Sequence, residues 1–308
     1  MSDLQDVVGQ FETFLLTERR VAHNTFLAYK RDLEQFELFL GGGEIGFSSI
    51  QKKHLSSFLK SLKDQGLNAK SLSRKISTLR LFFKYLNEHH HVPNIAKNLV
   101  FPKIDQNLPT YLTQAEIEQL LLAANKDLSP KGVRNKVMLY VLYATGMRVS
   151  ELVSMTVDQI LFDTGFVKIL GKGSKERHIP LPRNILELLH YYLDHIYPAL
   201  LPEKALVFQQ KKQYLFAALY NNQIKPLSRQ SLWLNLRKIL QHAGIKKNIS
   251  PHSLRHSLAT HLLQQGADLR SLQMLLGHQS LSTVQIYTHL GDAQIRKIYD
   301  KKHPRATE

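Results

Sequence analysis

Residues 250–263 read SPHSLRHSLATHLL. The stretch continues into a regular helical pattern. His252, Arg255 and His256 crowd its first turns. Two histidines at i, i+4 suggest zinc, but the metalloprotease arrangement needs a glutamate after the first histidine, and position 253 is serine. Arg255 would also set a fixed positive charge beside any cation. An arginine flanked by histidines suits an anion better, above all a phosphate, whose oxygens accept charge-assisted hydrogen bonds.

The whole chain carries the same bias. Its 308 residues hold 41 Lys+Arg against 25 Asp+Glu, a formal charge of +16, which points to a polyanionic partner such as nucleic acid. Zero cysteines exclude disulfides, cysteine-held zinc and iron–sulfur clusters. The start, MSDLQDVVGQFETFLL, has no basic region ahead of an apolar core, so no signal peptide is expected, and no apolar run is long enough to span a bilayer. A cytoplasmic protein is the expectation.

Organisation follows from periodicity. In residues 24–40, NTFLAYKRDLEQFELFL, the residues Phe26, Tyr29, Leu33, Phe36 and Leu40 form one helical stripe, with Asn24 as the expected N-cap and Gly41–Gly43 as the stop. A second stripe runs through Leu72, Ile76, Leu79, Phe83 and Leu86; Lys70, Arg74, Lys75, Arg80 and Lys84 fill the rest of that helix and are expected to meet phosphates. Two prolines in PKIDQNLPT mark an interdomain linker at 103–109, separating a first domain, 1–102, from a second, 110–291, with a tail at 292–308. Thr113 and Glu116 have capping-box spacing. Residues Phe166–Leu170 and Glu176–Leu181 predict a β-hairpin around the turn 171–175. The stretch 208–226 is expected to be a surface excursion.

Three further stretches hold candidate chemistry: YATGMRVSEL with Arg148 just past Gly146, GKGSKER with Lys172 in the hairpin turn, and LLGHQSLSTVQIYTHL with His278 and Tyr287. Each alone has an ordinary structural explanation; Arg148, for instance, could simply pair with Glu151. Together and in this order, ATGMRVSEL and HSLRHSLATHLLQQGADLRSLQMLLGHQSLSTVQIYTHL closely resemble the two sequence boxes of the tyrosine recombinases, and within them the Xer recombinases that resolve chromosome dimers. The resemblance implies a mainly α fold of two domains that clamps DNA. The parts would be an N-terminal helical bundle and a C-terminal, mostly α catalytic domain with a small antiparallel β-sheet. It identifies Arg148, Lys172, His252, Arg255, His278 and Tyr287 as the catalytic set, with Tyr287 the nucleophile of a 3′-phosphotyrosyl intermediate and no metal, ATP or other cofactor.

The chemistry of those side chains fits. Attack on a phosphodiester needs a nucleophile, cations on the non-bridging oxygens and a proton for the leaving alkoxide. Arg148 and Arg255 suit the oxygens, with His278 as a further donor. Lys172 suits the leaving group, and His252 suits the tyrosine proton or the phosphate. His256, His261 and His289 read as structural. The resemblance further implies a duplex DNA recombination site, a homo-tetramer or a hetero-tetramer with a second Xer-type recombinase, a tail exchanged between subunits, and a septal DNA translocase of the FtsK type as a possible activator. A mobile-element integrase and, in a different class, a non-catalytic DNA-binding protein stand as alternatives.

Overall fold

The computed structural model describes residues 4–42, 45–103, 110–170, 176–201, 213–221, 223–268, 272, 275–276, 299–300 and 302–304. The chain divides into two compact units, residues 1–107 and 108–308.

The first unit is helical: α1 (Leu4–Thr17), α2 (His23–Phe39), α3 (Lys52–Asp64) and α4 (Ala69–His90). Both stripes read from the sequence are its core, with Leu33, Phe36, Leu40, Ile76, Leu79, Phe83 and Leu86 all buried. Aromatic rings interlock across helices, Phe11 with Phe82 at 5.2 Å and Phe36 with Phe58 at 5.1 Å between centroids. The start of α2 differs from the expectation. Ala22, not Asn24, is the N-cap, because its own extended residue turns its carbonyl onto the amides of Thr25 and Phe26. The end behaves as read: Gly41 and Gly42 take positive φ of 92° and 66°, which glycine adopts without a Cβ clash.

The expectation that the basic residues of α4 meet phosphates is corrected at Lys75. Lys75 is buried and donates to Asp32 Oδ1 at 2.8 Å, and Thr78 donates to Asp32 Oδ2 at 2.9 Å. Arg74 also donates to Asp32 and to the Ala28 carbonyl. Asp32 of α2 is itself buried, so its charge demands these partners, and they bind α4 to α2. Arg80 donates to the Leu99 carbonyl and lies over the Phe101 ring at 4.5 Å. Lys70 and Lys84 remain on the exposed surface.

The second unit is built on α6 (Pro130–Thr145), whose residues Val137, Met138, Leu142 and Tyr143 are fully buried; a helix apolar on most sides belongs inside a core. Around it stand α5 (Gln114–Ala124), α7 (Val149–Val153), α8 (Arg183–Tyr191) continuing through a π turn into α9 (Tyr197–Leu200), α10 (Arg229–His242) and α11 (Pro251–Gln264). The capping box on α5 is present: Thr113 accepts from the Glu116 amide at 3.2 Å and Glu116 from the Thr113 amide at 2.8 Å. A three-stranded antiparallel sheet, β1 (Ile160–Leu161), β2 (Phe166–Leu170) and β3 (Glu176–Pro180), contains the expected hairpin, in register from Phe166 opposite Pro180 to Leu170 opposite Glu176.

The stretch 208–226 is only partly an excursion. Its residues β4 (Ala217–Tyr220) and β5 (Gln223–Pro226) form a second antiparallel pair, but Leu215, Phe216 and Ala217 are buried. The Leu215 amide bonds Met155 O and its carbonyl accepts from Tyr192 Oη, tying the segment into the core. Among the described residues no helix is long and apolar enough to cross a membrane.

Candidate active site

The site begins where α6 stops. Gly146 caps that helix at φ 57°, its amide returning to Leu142 O at 2.9 Å. A Cβ there would lie 2.7 Å from a Leu276 methyl and 2.8 Å from a Leu258 methyl, so glycine is required by both backbone and space. Two residues on, Arg148 caps α7 in an extended conformation. Its amide donates to Glu151 Oε2 at 2.7 Å and its Nη1 to Glu151 Oε1 at 3.0 Å, while the side chain as a whole stays 44% exposed.

Helix α11 supplies the second cation. Ser250 caps it by accepting from the Ser253 amide, and Pro251 occupies the first turn, where its missing N–H costs nothing. His252 is then exposed at the start of the helix, and Arg255, one turn later, is 4% exposed. Arg255 Nη1 donates to Gly146 O at 2.7 Å and Nη2 to Leu276 O at 2.5 Å, so the cap of α6 and the guanidinium orient each other. Burial, then repulsion from Arg148, with Glu151 opposing and Arg177 adding, brings the Arg255 pKa down to about 10, so it remains a cation at neutral pH.

Arg177 joins them from β3. Its Nη1 and Nη2 donate to Glu151 Oε1 and Oε2 at 3.1 and 2.7 Å, a bidentate pair in which Glu151 is only 10% exposed. Burial pushes the Glu151 carboxyl up, but the bonds from Arg177 and Arg148 outweigh it and hold the group below the usual carboxylate range. Two guanidiniums therefore bond one carboxylate, and a third, that of Arg255, lies within electrostatic reach of all of them.

Of the six residues singled out from sequence, the fold brings Arg148 and Arg255 into one electrostatic neighbourhood and sets His252 on the same helix as Arg255. Lys172, His278 and Tyr287 lie outside the described residues. Glu151 was legible only as a neighbour of Arg148, three residues on. Arg177 carried no local signal, since its partner is 26 residues away. Of the histidines read as structural, His261 is buried with Nδ1 2.9 Å from Tyr143 Oη and His256 packs edge-on to Tyr111, while His289 lies outside the described residues. Burial lowers the His261 pKa. The described tail residues pack on the chain's own second unit, Tyr299 donating to Ala144 O at 2.9 Å and Lys302 to Gln265 O at 2.6 Å, with His303 stacked on Tyr299 at 4.4 Å.

The sequence matches the model of the phage integrase family over residues 110–294 and that of the phage integrase N-terminal SAM-like domain over residues 8–90. The chain belongs to the phage integrase family. Its Xer-type tyrosine recombinases include the similar proteins of Staphylococcus saprophyticus, named tyrosine recombinase XerD and 40% identical over 98% of this chain and 100% of that one, and of Staphylococcus haemolyticus, of the same name and 38% identical over the same shares. This Xer-type recombinase is thus a DNA strand-exchange enzyme. Among solved structures it is similar to the XerH site-specific recombinase bound to difH substrate in a pre-cleavage complex, with TM-score 0.67 and 28% identity over 86% of this chain and 76% of that one. The Tn1549 transposon integrase shares the fold, at TM-score 0.70 and 19% identity over 94% of this chain and 97% of that one.

Proposed function

We propose that this recombinase cuts and rejoins duplex DNA at one phosphodiester per strand through a 3′-phosphotyrosyl intermediate, without metal or ATP. In that reaction the Tyr287 phenolate attacks phosphorus and the P–O5′ bond breaks. Lys172 gives its proton to the departing 5′ oxygen, and His252 takes the tyrosine proton or holds the phosphate. Arg148, Arg255 and His278 neutralise the non-bridging oxygens. The linkage keeps the energy of the broken bond, so rejoining is the reverse attack by a 5′ hydroxyl.

One observation carries the reading: Arg148 and Arg255, from segments 107 positions apart in number, come close enough to repel each other, and Arg255 is fixed by two carbonyls. Preorganised donors of this kind stabilise developing charge without reorganising. The Xer-type relatives favour chromosome-dimer resolution at cell division over mobile-element integration, hence a cytoplasmic enzyme acting as a tetramer, alone or with a second Xer-type recombinase, on two DNA sites. A septal DNA translocase would license it. In the assembly the tail would leave Ala144 O and Gln265 O for a neighbouring subunit.

A duplex nicked near the scissile phosphate tests the chemistry. Wild type accumulates a covalent protein–DNA adduct in the presence of a chelator, and Tyr287→Phe forms none. Absence of adduct from wild type refutes the reaction, adduct from Tyr287→Phe refutes the nucleophile, and strict magnesium dependence refutes the metal-free mechanism.

A further inference from the structure

Glu151 poses a problem for a phosphate-binding Arg148, because the carboxylate already holds that guanidinium. Oxygen Oε1 accepts from Arg148 Nη1 at 3.0 Å and from Arg177 Nη1 at 3.1 Å, so two cations share one oxygen. Oxygen Oε2 accepts from Arg177 Nη2 and from the Arg148 amide, both at 2.7 Å. We propose that Arg177 is a positioning residue that keeps Arg148 exchangeable, holding Glu151 so that the Arg148 guanidinium passes from carboxylate to incoming phosphate. The proposal rests on the phosphate role of Arg148 advanced above.

The geometry supplies the reason. When the Arg148 side chain departs, Glu151 gives up one of four donors and keeps both bonds from Arg177 and the one from the α7 cap. A carboxylate this buried would otherwise be left without a counter-ion, which is strongly unfavourable. Remove Arg177 instead, and Arg148 becomes the single cation hydrogen-bonded to Glu151 among the described residues. Its departure would then strand the carboxylate, so the pair locks. Arg177 is well placed for a permanent role: its side chain is 14% exposed and held in strand register opposite Ile169, whereas that of Arg148 is 44% exposed. The division of labour is therefore a fixed guanidinium and a movable one on the same acid.

The test is the single-turnover rate of adduct formation on the nicked duplex at saturating protein. Arg177→Met is expected to slow it about 10- to 100-fold, the scale of a misplaced catalytic group, with duplex affinity changed by less than about threefold. Adding Glu151→Gln to Arg177→Met removes the charge that locks Arg148 and should recover at least about fivefold over the single variant. Arg177→Lys, retaining a cation but not the bidentate fork, should fall between wild type and Arg177→Met. A rate for Arg177→Met within about twofold of wild type overturns the proposal. So does a double variant no faster than the single one, since the Glu151 charge would then not be what holds Arg148. If Arg177→Met fails to fold, Arg177→Lys and the double variant decide on the same two criteria. Failure of wild type to form any adduct refutes the underlying reaction instead, and the two failures are told apart by that arm.

Discussion

Replacing Gly146 by alanine should unfold the second unit earlier, by an amount the structure lets one work out. An alanine held at φ 57° costs about 1–2 kcal/mol from the clash of its Cβ with the backbone. Its Cβ would also stand 2.7 Å and 2.8 Å from methyls of Leu276 and Leu258, and forcing a methyl into a packed core costs about 1–3 kcal/mol. The stiffer unfolded chain returns roughly 0.5–1 kcal/mol. The sum is about 3 kcal/mol, and at roughly 2–4 °C per kcal/mol for a unit of this size the midpoint should fall by about 6–12 °C. The single tryptophan, Trp233 on α10, sits in the same unit and reports its melting by fluorescence. An alanine variant melting within about 2 °C of wild type would refute both the backbone and the packing argument. Since Gly146 O anchors Arg255 and Arg148 follows two residues later, the alanine variant should also form adduct more slowly at temperatures where it is still folded.

Two more outcomes follow from the buried ion pairs. Asp32→Ala leaves Lys75 buried without its carboxylate and should destabilise the first unit by about 3–5 kcal/mol, read as loss of helical circular dichroism in urea; a loss below about 1 kcal/mol would show that α4 is held by its apolar stripe alone. The Glu151 carboxyl has a depressed pKa when folded, so its ionised form contributes stability that is present above its ordinary value of 4.5 and is lost as pH falls through the lower folded value. The stability gap between wild type and Glu151→Gln, measured by urea unfolding, should therefore be largest above about pH 4.5 and narrow as the solution is made more acidic; a gap that widens towards low pH would contradict the pairing.

Much was legible in the chain itself wherever the information is short-range. The stripes of α2 and α4, the Thr113–Glu116 box, the hairpin of β2 and β3, and the Gly146 stop ahead of Arg148 all depend on hydrogen bonds or side-chain faces a few residues apart, and spacing encodes these directly. The ordered motifs likewise marked Arg148 and Arg255 as cations gathered for an anion. Which cations are free to meet one was decided by tertiary structure. Lys75, on a helix that looked basic and wet, turned inward because Asp32 is buried 43 positions earlier. Arg177 found Glu151 across 26 positions, and His261 found Tyr143 across 118. Residues 215–217, within a stretch expected to be a surface excursion, became core, with Leu215 bonding Met155 and Tyr192. An ion pair or buried hydrogen bond exists only when folding brings donor and acceptor within about 3 Å and removes the water between them. No spacing along the chain contains that distance; packing sets it.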